Sequence, residues 1–459
     1  MEERENKNKF WQGVLTGTLV TAFCAMAVVG IASGIWLVAR GTKNNEIKAE
    51  TVVETTAPEP ETESVPEPVI SEKEQRLYEM GYKLDYIEQL IDMYFLFDEE
   101  AEKEDPIDWM YIGYVASLRD PHSSYYSEDE YQSLMESTEG EYCGIGVMVS
   151  QNVYTGLVTV VKVFKDDPAD IAGMLPGDII TAVDGMDISG MDLSLVVSDH
   201  IKGEEGTEVS LTVYRESIDD YVDLTMTRRI VQDPTVEYEM LEERIGYVTL
   251  SSFEDVSTAQ FIDAVDALEE QGMQGLIIDL RNNGGGAVSA AEDIADYLIQ
   301  DGKDVVSFKG KGMEDSTYVA RDGHKIDIPM AVLVNRSSAS ASEILTGALK
   351  DHKVATVVGT KTFGKGIAQG IFPLPDGSAL KLTTAYYYTP SGECIHKEGI
   401  EPDVFVELDK ELQTLVEIPK EDDNQIRAAI DVLLEGEEVV KAKLEAEANA
   451  KEQETAAAE

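Results

Sequence analysis

A long run without charged side chains is the feature that most constrains how this chain can fold. It extends from Phe10 to Ala39 and is bounded by Lys9 and Arg40. A helix needs about 20 apolar residues to cross the hydrocarbon core of a bilayer, so the run is long enough to do so with some tilt. The alternatives are a buried helix and a cleavable signal peptide, whose apolar region is normally about half as long. The pattern favours a transmembrane helix over residues 10–39.

The orientation of this helix is weakly specified by its flanking charges. Basic residues before and after the run are nearly matched in number, so the positive-inside rule decides little. The simpler topology leaves residues 1–9 in the cytoplasm and exports the rest of the chain. This topology predicts a single-pass protein of the cell membrane whose larger part is extracytoplasmic.

The charge balance excludes one class of partner. The 459 residues include 37 Lys and Arg against 89 Asp and Glu, which gives a net charge of −52. Such a chain repels phosphate backbones, so we expect no nucleic-acid partner. The cysteines at 24, 143 and 394 are far apart, and the five histidines contain no H-E-x-x-H motif. We therefore expect neither a metal site nor a cofactor.

Composition and hydrophobic pattern divide the rest of the chain into segments. A stretch rich in proline and glutamate is expected to stay extended, because it cannot bury a core. Apolar residues at helical spacing, then short strands between turns, then alternating strands and helices predict an α/β multidomain protein. The predicted segments are a linker at 40–70, a small helical unit at 71–137, a β-rich module at 138–230, an α/β core at 231–407, and a C-terminal helix with an acidic tail at 408–459.

A serine-rich turn in the predicted α/β core is a candidate nucleophile site. The sequence from Val332 to Leu349 runs from an apolar strand through this turn into a helix. Ser340 lies between small residues that let a substrate backbone approach, and the N–H groups at the helix start can stabilise an oxyanion. The alternative is that Ser338, Ser340 and Ser342 serve only as turn and N-cap residues.

Lys365 is a candidate general base for that serine. It stands between two glycines in the otherwise largely apolar sequence Thr362-Phe-Gly-Lys-Gly-Ile-Ala-Gln369. Burial of a lysine disfavours its ammonium form and lowers its pKa, so that it can accept a proton from a serine hydroxyl. A phosphate-binding Walker motif does not fit, because no Ser or Thr follows Lys365. The alternative is an exposed loop lysine.

Gln369 is a candidate partner that orients Lys365. Their spacing of four residues would bring the two side chains onto one face of a helical turn, whereas in a strand they would stand about 13 Å apart. The orienting role therefore predicts that the segment from Gly364 to Gln369 turns helically. A neutral amide suits this role, since a carboxylate would stabilise the ammonium ion.

A glycine-rich loop follows the apolar strand at 275–280. Its sequence is Arg281-Asn-Asn-Gly-Gly-Gly286, which leaves the backbone open to close approach. Such a loop supplies an N–H group to an oxyanion, or serves only as a turn with positive φ angles. The G-x-G-x-x-G spacing is absent, so dinucleotide binding fits poorly.

Several motifs in order resemble the carboxyl-terminal processing peptidases, the tail-specific Ser/Lys proteases. The resemblance covers roughly residues 70–434 and includes a PDZ module in the β-rich segment. The motifs that carry it are Asp120-Pro-His-Ser-Ser-Tyr125, Gly144-Ile-Gly-Val147, the run from Asp167 to Asp178, Arg281-Asn-Asn-Gly-Gly-Gly286, Ser338-Ala-Ser-Ala-Ser-Glu343, Thr362-Phe-Gly-Lys-Gly366, Tyr388-Thr-Pro-Ser-Gly392 and Gly399-Ile-Glu-Pro-Asp403.

The resemblance implies a role for each matched residue. Ser340 would be the nucleophile, Lys365 the general base and Gln369 its orienting partner, in a crotonase- or Clp-like protease core. The oxyanion donors would be the backbone amides of Gly286 and Ala341. In the PDZ module, the backbone of Gly144, Ile145, Gly146 and Val147 would bind the carboxylate of a peptide C-terminus.

Some positions depart from the common family pattern. Ser337 stands where a glycine is usual and Tyr386 where a basic residue is frequent. Lys202 stands where arginine is common, and the two side chains are not interchangeable in a bidentate contact. We therefore single out Lys202 as a candidate for coupling the PDZ module to the protease site.

The sequence thus predicts a membrane-anchored serine endopeptidase that acts on proteins or peptides with free C-termini. One alternative is a tethered PDZ scaffold with an inactive protease domain. Another is a crotonase-like acyl-CoA enzyme, which would leave both the PDZ module and the lysine unexplained. The apolar faces of the N-terminal and C-terminal helices make a homodimer a further candidate.

Overall fold

The structure is a computed structural model that describes residues 71–97, 105–312, 314–321, 326–415 and 418–458. It divides into two units, residues 1–101 and 102–459, which are described separately here. The predicted transmembrane helix at 10–39 and the linker at 40–70 lie outside the described residues. Within the described ranges, no helix combines the length and the apolar character needed to cross a membrane.

The bounds of the elements follow the predicted alternation closely. The helices are α1 (Glu72–Tyr94), α2 (Pro106–Ala116), α3 (Glu128–Glu139), α4 (Pro168–Ala172), α5 (Leu193–Leu195), which continues as a π-helix (Val196–Ile201), α6 (Ser257–Glu270), α7 (Val288–Leu298), α8 (Ala341–Asp351), α9 (Asn424–Glu435) and α10 (Glu437–Ala458). The strands are β1 (Ser124–Tyr126), β2 (Glu141–Gly144), β3 (Val147–Gln151), β4 (Val158–Val163), β5 (Ile179–Val183), β6 (Met186–Asp187), β7 (Glu208–Arg215), β8 (Asp220–Thr227), β9 (Arg229–Gln232), β10 (Val236–Met240), β11 (Ile245–Leu250), β12 (Gly275–Asp279), β13 (Asp304–Gly310), β14 (Ser316–Val319), β15 (Met330–Val334), β16 (Ala355–Gly359), β17 (Ile367–Pro373), β18 (Ala379–Tyr388) and β19 (Val404–Phe405).

The described part of the first unit is the helix α1. Its start is fixed by a capping box, in which Ser71 and Glu74 satisfy each other's backbone N–H groups. None of its side chains is buried. The apolar face predicted for this helix is thus open to solvent in the single chain, and the predicted homodimer stays a prediction.

The β-rich module is built on an antiparallel sheet in the order β3-β4-β5-β7-β8, with β6 beside β5. Its core is formed by apolar side chains from both the sheet and the helical segments, such as Ile145, Val160, Val196 and Leu211. Strands β2 and β9 pair where the chain enters and leaves the module. Strand β3 lies at the edge of the sheet, so its outer side is free of a described neighbouring strand.

The α/β core is a sheet in the order β10-β11-β12-β15-β16-β19, parallel except for β10. Alternate residues of β12 point to opposite faces: Ile278 packs with Ile294 of α7 and Ile344 of α8, whereas Ile277 packs with α9. Burial on both faces explains why β12 and β15 read as uninterrupted apolar runs. The glycine loop after β12 and the turn of Ser340 after β15 therefore emerge together at the carboxyl edge of the sheet, where parallel sheets usually bind ligands.

A further sheet carries the candidate base. Strands β17 and β18 form an antiparallel hairpin, and β18 also pairs with β1 and β13. Strand β1 lies inside the segment that the sequence predicted as helical. It escaped prediction because three residues are too few to display an alternating pattern, although Tyr125 at its centre is buried.

Candidate active site

Ser340 occupies the N-cap position of α8 in a backbone conformation that side chains rarely adopt. Its φ and ψ angles are 56° and −116°. A non-glycine residue held there is strained, and such strain accumulates at functional sites. Only 9% of the Ser340 surface is exposed, so the side chain is accessible but largely enclosed. The helix start beside it supplies N–H groups and a partial positive charge.

The neighbouring serines have the structural roles of the alternative hypothesis. The Ser338 hydroxyl donates to the carbonyl of Leu280 at 2.7 Å, and the Ser342 hydroxyl donates to the carbonyl of Asn283 at 3.0 Å. Both side chains are completely buried. They attach the serine turn to the glycine-rich loop and leave Ser340 as the candidate nucleophile.

A buried carboxylate, Glu343, ties the Ser340 turn to the Lys365 loop. One of its oxygens accepts the N–H groups of Ser340 at 3.0 Å and Lys365 at 2.8 Å. The other oxygen accepts the Thr362 hydroxyl at 2.6 Å and the N–H of Gly364 at 2.7 Å. The carboxylate is fully buried and acts only as an acceptor in these contacts, so both backbone segments are held in one geometry.

The phenol of Tyr387 forms a second link between the same segments. Its hydroxyl lies 3.2 Å from the carbonyl oxygen of Ser340 and also contacts the carbonyl oxygen of Lys365. Burial raises the pKa of Tyr387 well above its ordinary value, and the charge of Glu343 adds to this effect. The phenol therefore keeps its proton and remains a donor.

Sequence reasoning did not assign Glu343 or Tyr387 a role. The first had a detectable signal, because Ser340-x-x-Glu343 has the spacing of a capping box. Tyr387 had none, since its contacts depend on the pairing of β17 with β18.

The side chain of Lys365 is half-buried, as expected for a general base. Burial lowers its pKa, the positive charge of Lys381 lowers it further, and the negative charge of Glu343 opposes both. Its Nζ forms no ion pair with a carboxylate among the described residues. The environment therefore favours the neutral amine at lower pH than for an exposed lysine.

We expect the pH dependence of peptide cleavage to report this lysine. Because only the neutral amine accepts a proton, kcat/KM should rise with pH through the pKa of Lys365 and then level off. Removing the charge of Lys381 with Lys381→Met should raise the pKa of Lys365 and shift the rising limb to higher pH. Rates measured across the pH range for the two proteins check this, and an unshifted limb would exclude the influence of Lys381.

The predicted helical turn between Lys365 and Gln369 is wrong. Residues 364–366 are irregular and Gln369 lies on β17, opposite Thr383 of β18. Its amide nitrogen donates to the carbonyl of Ile367 at 3.4 Å and to the Thr383 hydroxyl at 3.5 Å. Pairing with β18 extends the backbone here, so the four-residue spacing does not place the two side chains as on a helix. The orienting role of Gln369 stays a prediction.

The candidate oxyanion donors lie in adjacent loops. A Cβ atom on Gly285 would stand 2.8 Å from Cβ of Ser340 and 2.9 Å from the amide nitrogen of Ala341, so only glycine allows this approach. Gly286 has a φ of 144° and passes equally close to Phe253. The Phe253 pairing uses the carbonyl of Gly285 and the N–H of Ala287, which leaves the Gly286 N–H outside this pairing.

A buried ionic network fixes the start of the glycine-rich loop. Arg281 pairs with Asp279 at 2.6 Å and with Asp423 at the start of α9 at 2.8 Å, and all three side chains are largely buried. Burial opposes the charge of Arg281, but the two carboxylates outweigh it and hold its pKa above the ordinary value. The network thereby connects the loop to the C-terminal helix.

Arg281→Met is expected to destabilise the fold as well as the site. It leaves two buried carboxylates without their cation, which typically costs about 3–5 kcal/mol. Urea unfolding should show this loss, whereas the exposed control Arg321→Met should unfold like the wild type. Equal stability of the two variants would mean that the network does not hold the loop.

The predicted carboxylate loop of the β-rich module lies between β2 and β3. Gly146 has a φ of 78° and packs against Asp167, so no side chain fits there. The carbonyls of Ile145 and Gly146 accept the N–H groups of Ala169 and Phe164 at 2.9 Å each. These bonds anchor the loop beside the open edge of β3. Gly144 and Val147 end and begin the flanking strands.

Lys202 lies at the same groove. Its Nζ is 3.2 Å from Oε2 of Glu136 on α3 and 5.0 Å from the centre of the Tyr142 ring. The coupling role predicted for Lys202 is not tested by these contacts.

The sequence matches a model of peptidase family S41 over residues 244–406 and a model of the PDZ domain over residues 143–226. It is 40% identical over 301 residues to the carboxy-terminal-processing protease of Bartonella bacilliformis, covering 64% of this chain and 68% of that protein. It is 36% identical over 326 residues to the carboxyl-terminal-processing protease of Synechocystis sp., covering 70% and 75%. A probable CtpA-like serine protease of Staphylococcus aureus is 39% identical over 310 residues, covering 67% of this chain and 61% of that protein.

Proposed function

The chain belongs to peptidase family S41, among the carboxyl-terminal processing proteases, and from this premise we propose that it is a membrane-anchored serine endopeptidase with a Ser–Lys mechanism. Its substrates are proteins or peptides with free C-termini, which its PDZ domain recognises.

The observation that carries the mechanism is the buried carboxylate of Glu343. It holds the backbone N–H groups of both Ser340 and Lys365 on one oxygen, at 3.0 and 2.8 Å. A strained serine and a half-buried lysine with a lowered pKa are thus fixed relative to each other. This pairing of an activated base with a nucleophile is what Ser–Lys catalysis requires.

In the proposed reaction, the Ser340 hydroxyl attacks the peptide carbonyl carbon while the neutral amine of Lys365 accepts its proton. The N–H groups of Gly286 and Ala341 donate to the oxyanion that forms. The Lys365 ammonium ion then protonates the leaving amine as the C–N bond breaks, which leaves an acyl ester on Ser340. Water, deprotonated by the regenerated neutral Lys365, hydrolyses the ester.

The PDZ domain offers an open strand edge beside a loop that can bind a carboxylate. An extended peptide adding to β3 would place its C-terminus at the loop from Gly144 to Val147. We expect a free-acid peptide to be cleaved roughly ten- to a hundred-fold more efficiently than its amide, because amidation removes a charge-assisted hydrogen bond. Comparing kcat/KM for the two peptides checks this, and equal values would mean that the domain does not read the carboxylate.

The proposed location is the cell membrane, with the apolar segment at 10–39 as a single anchor and the catalytic domain outside the cytoplasm. A homodimer through the apolar helix faces is part of the same proposal. Protease added to cells stripped of any wall should digest the exported domain, and complete protection would reverse the topology.

Cleavage should survive both metal chelators and thiol alkylation. Within the described ranges, no cluster of His, Cys, Asp and Glu could hold a metal ion. Burial raises the pKa of the Cys143 thiol, which lowers its reactivity. Residual activity after treatment with a chelator and with an alkylating reagent is the measurement. Activity lost on chelation and restored by one metal would contradict the mechanism.

The test of the function is cleavage of an unfolded protein by the purified full-length chain. The proposal predicts defined fragments that are absent with Ser340→Ala. An equally folded wild type that leaves several unfolded proteins intact would favour a binding protein.

A further inference from the structure

The peptide groove of the PDZ domain is partly lined by residues from outside the domain. It is a cavity of about 300 Å³ beside β3 and the π-helix. One wall comes from α3, which contributes Ser133, Glu136 and Ser137, and Asp233 contributes from the segment after β9. A peptide that enters the groove therefore meets polar groups of α3 as well as the domain's own apolar side chains.

The cation of this groove already has a carboxylate partner. Lys202 is the groove's basic side chain, and its Nζ lies 3.2 Å from Oε2 of Glu136. The Tyr142 ring stands between this pair and the carboxylate loop: it lies 5.0 Å from Nζ, and a Cβ on Gly144 would approach it to 2.8 Å. The ion pair is thus close to the loop that would receive a peptide C-terminus.

The groove carries more negative than positive charge. Glu136 and Asp233 oppose the single ammonium of Lys202 among the charged groups that line it. Burial raises the pKa of Asp233, while Lys202 lowers it. An incoming carboxylate is therefore attracted by Lys202 and repelled by Glu136.

We propose that Glu136 competes with the substrate's C-terminal carboxylate for Lys202, and so sets how strongly the groove selects free C-termini. This inference rests on the proposed function of the PDZ domain. Lys202 and Glu136 are about one-third exposed and two-fifths exposed, respectively. A partly exposed ion pair of this kind is weak and can be exchanged for another carboxylate. Removing Glu136 frees the ammonium and also removes a like charge.

The experiment measures binding of a fluorescent apolar peptide, as free acid and as amide, to the full-length chain carrying Ser340→Ala so that nothing is cleaved. Glu136→Gln should tighten binding of the acid roughly three- to tenfold and leave the amide unchanged. Glu139→Gln, on the same helix but outside the groove, is the matched control and should change neither. In a Lys202→Met background, Glu136→Gln should no longer favour the acid.

The outcomes separate this inference from the function on which it rests. If the parent prefers the acid but Glu136→Gln leaves its affinity unchanged, the competition is refuted and the PDZ function stands. Equal tightening of acid and amide would also refute it, because Glu136 would then act by filling space. If no variant distinguishes acid from amide, both the inference and C-terminal recognition fail. Glu136→Ala serves as a second variant, and circular dichroism checks that each protein is folded.

Discussion

Ser340→Ala is expected to lower kcat/KM for peptide cleavage by on the order of 10⁴- to 10⁶-fold. The alanine has no oxygen to attack the carbonyl, whereas the oxyanion donors and the peptide-binding surfaces remain. Lys365→Ala should cause a similar loss, and the double variant should lose little more, because nucleophile and base act as a unit. Cleavage rates of the purified variants measure this.

Lys365→Arg is the sharper control, because a guanidinium keeps both the positive charge and the length but does not give up its proton in the working range. It should be as inactive as Lys365→Ala. The exposed Lys353→Arg should cleave like the wild type. Activity restored by arginine at 365 would show that Lys365 supplies only charge, and a folded but active Ser340→Ala would remove the nucleophile assignment.

Glu343→Gln should also cost activity, by roughly 10²- to 10³-fold in kcat. Each carboxylate oxygen of Glu343 accepts two hydrogen bonds. An amide replaces one of these oxygens with an NH₂ group, which would face two donors in a buried site. Either the Ser340 and Lys365 pair or the Thr362 and Gly364 pair must then move.

The measurement for Glu343→Gln is kcat and KM together with urea unfolding. We expect kcat to fall far more than peptide affinity, and stability to fall as well, because buried donors lose their acceptor. The exposed Glu393→Gln is the control. A Glu343→Gln variant with wild-type kcat would show that the clamp does not position the site.

The α/β core could be predicted from the sequence because its signals are local. Strand β11 is buried along its whole length except one residue, and its run of Ile245 to Leu250 was predicted with these bounds. The turn of Ser340 follows from strand, small residues and helix in succession. Strand β1 carried no such signal, because its pairing with β18 spans a long stretch of chain.

The site was predicted only as far as each residue's own neighbourhood decides it. Ser340 and Lys365 stand in unusual local sequences, and motif resemblance linked them. The expected helical turn at Gln369 failed because the partner strand β18, not local spacing, sets the backbone of β17. Glu343 and Tyr387 act through contacts with segments distant in sequence, and these become visible only when the chain is folded.

The central claim, that Lys365 activates Ser340 as a nucleophile, is tested most directly by covalent labelling. The full-length chain is treated with a fluorophosphonate, and the modified residue is located by mass spectrometry of its digest. The account predicts that loss of cleavage follows labelling of Ser340, and that Lys365→Ala is labelled far more slowly. Loss of cleavage with the label on another residue, or equal labelling of Ser340→Ala, would contradict it.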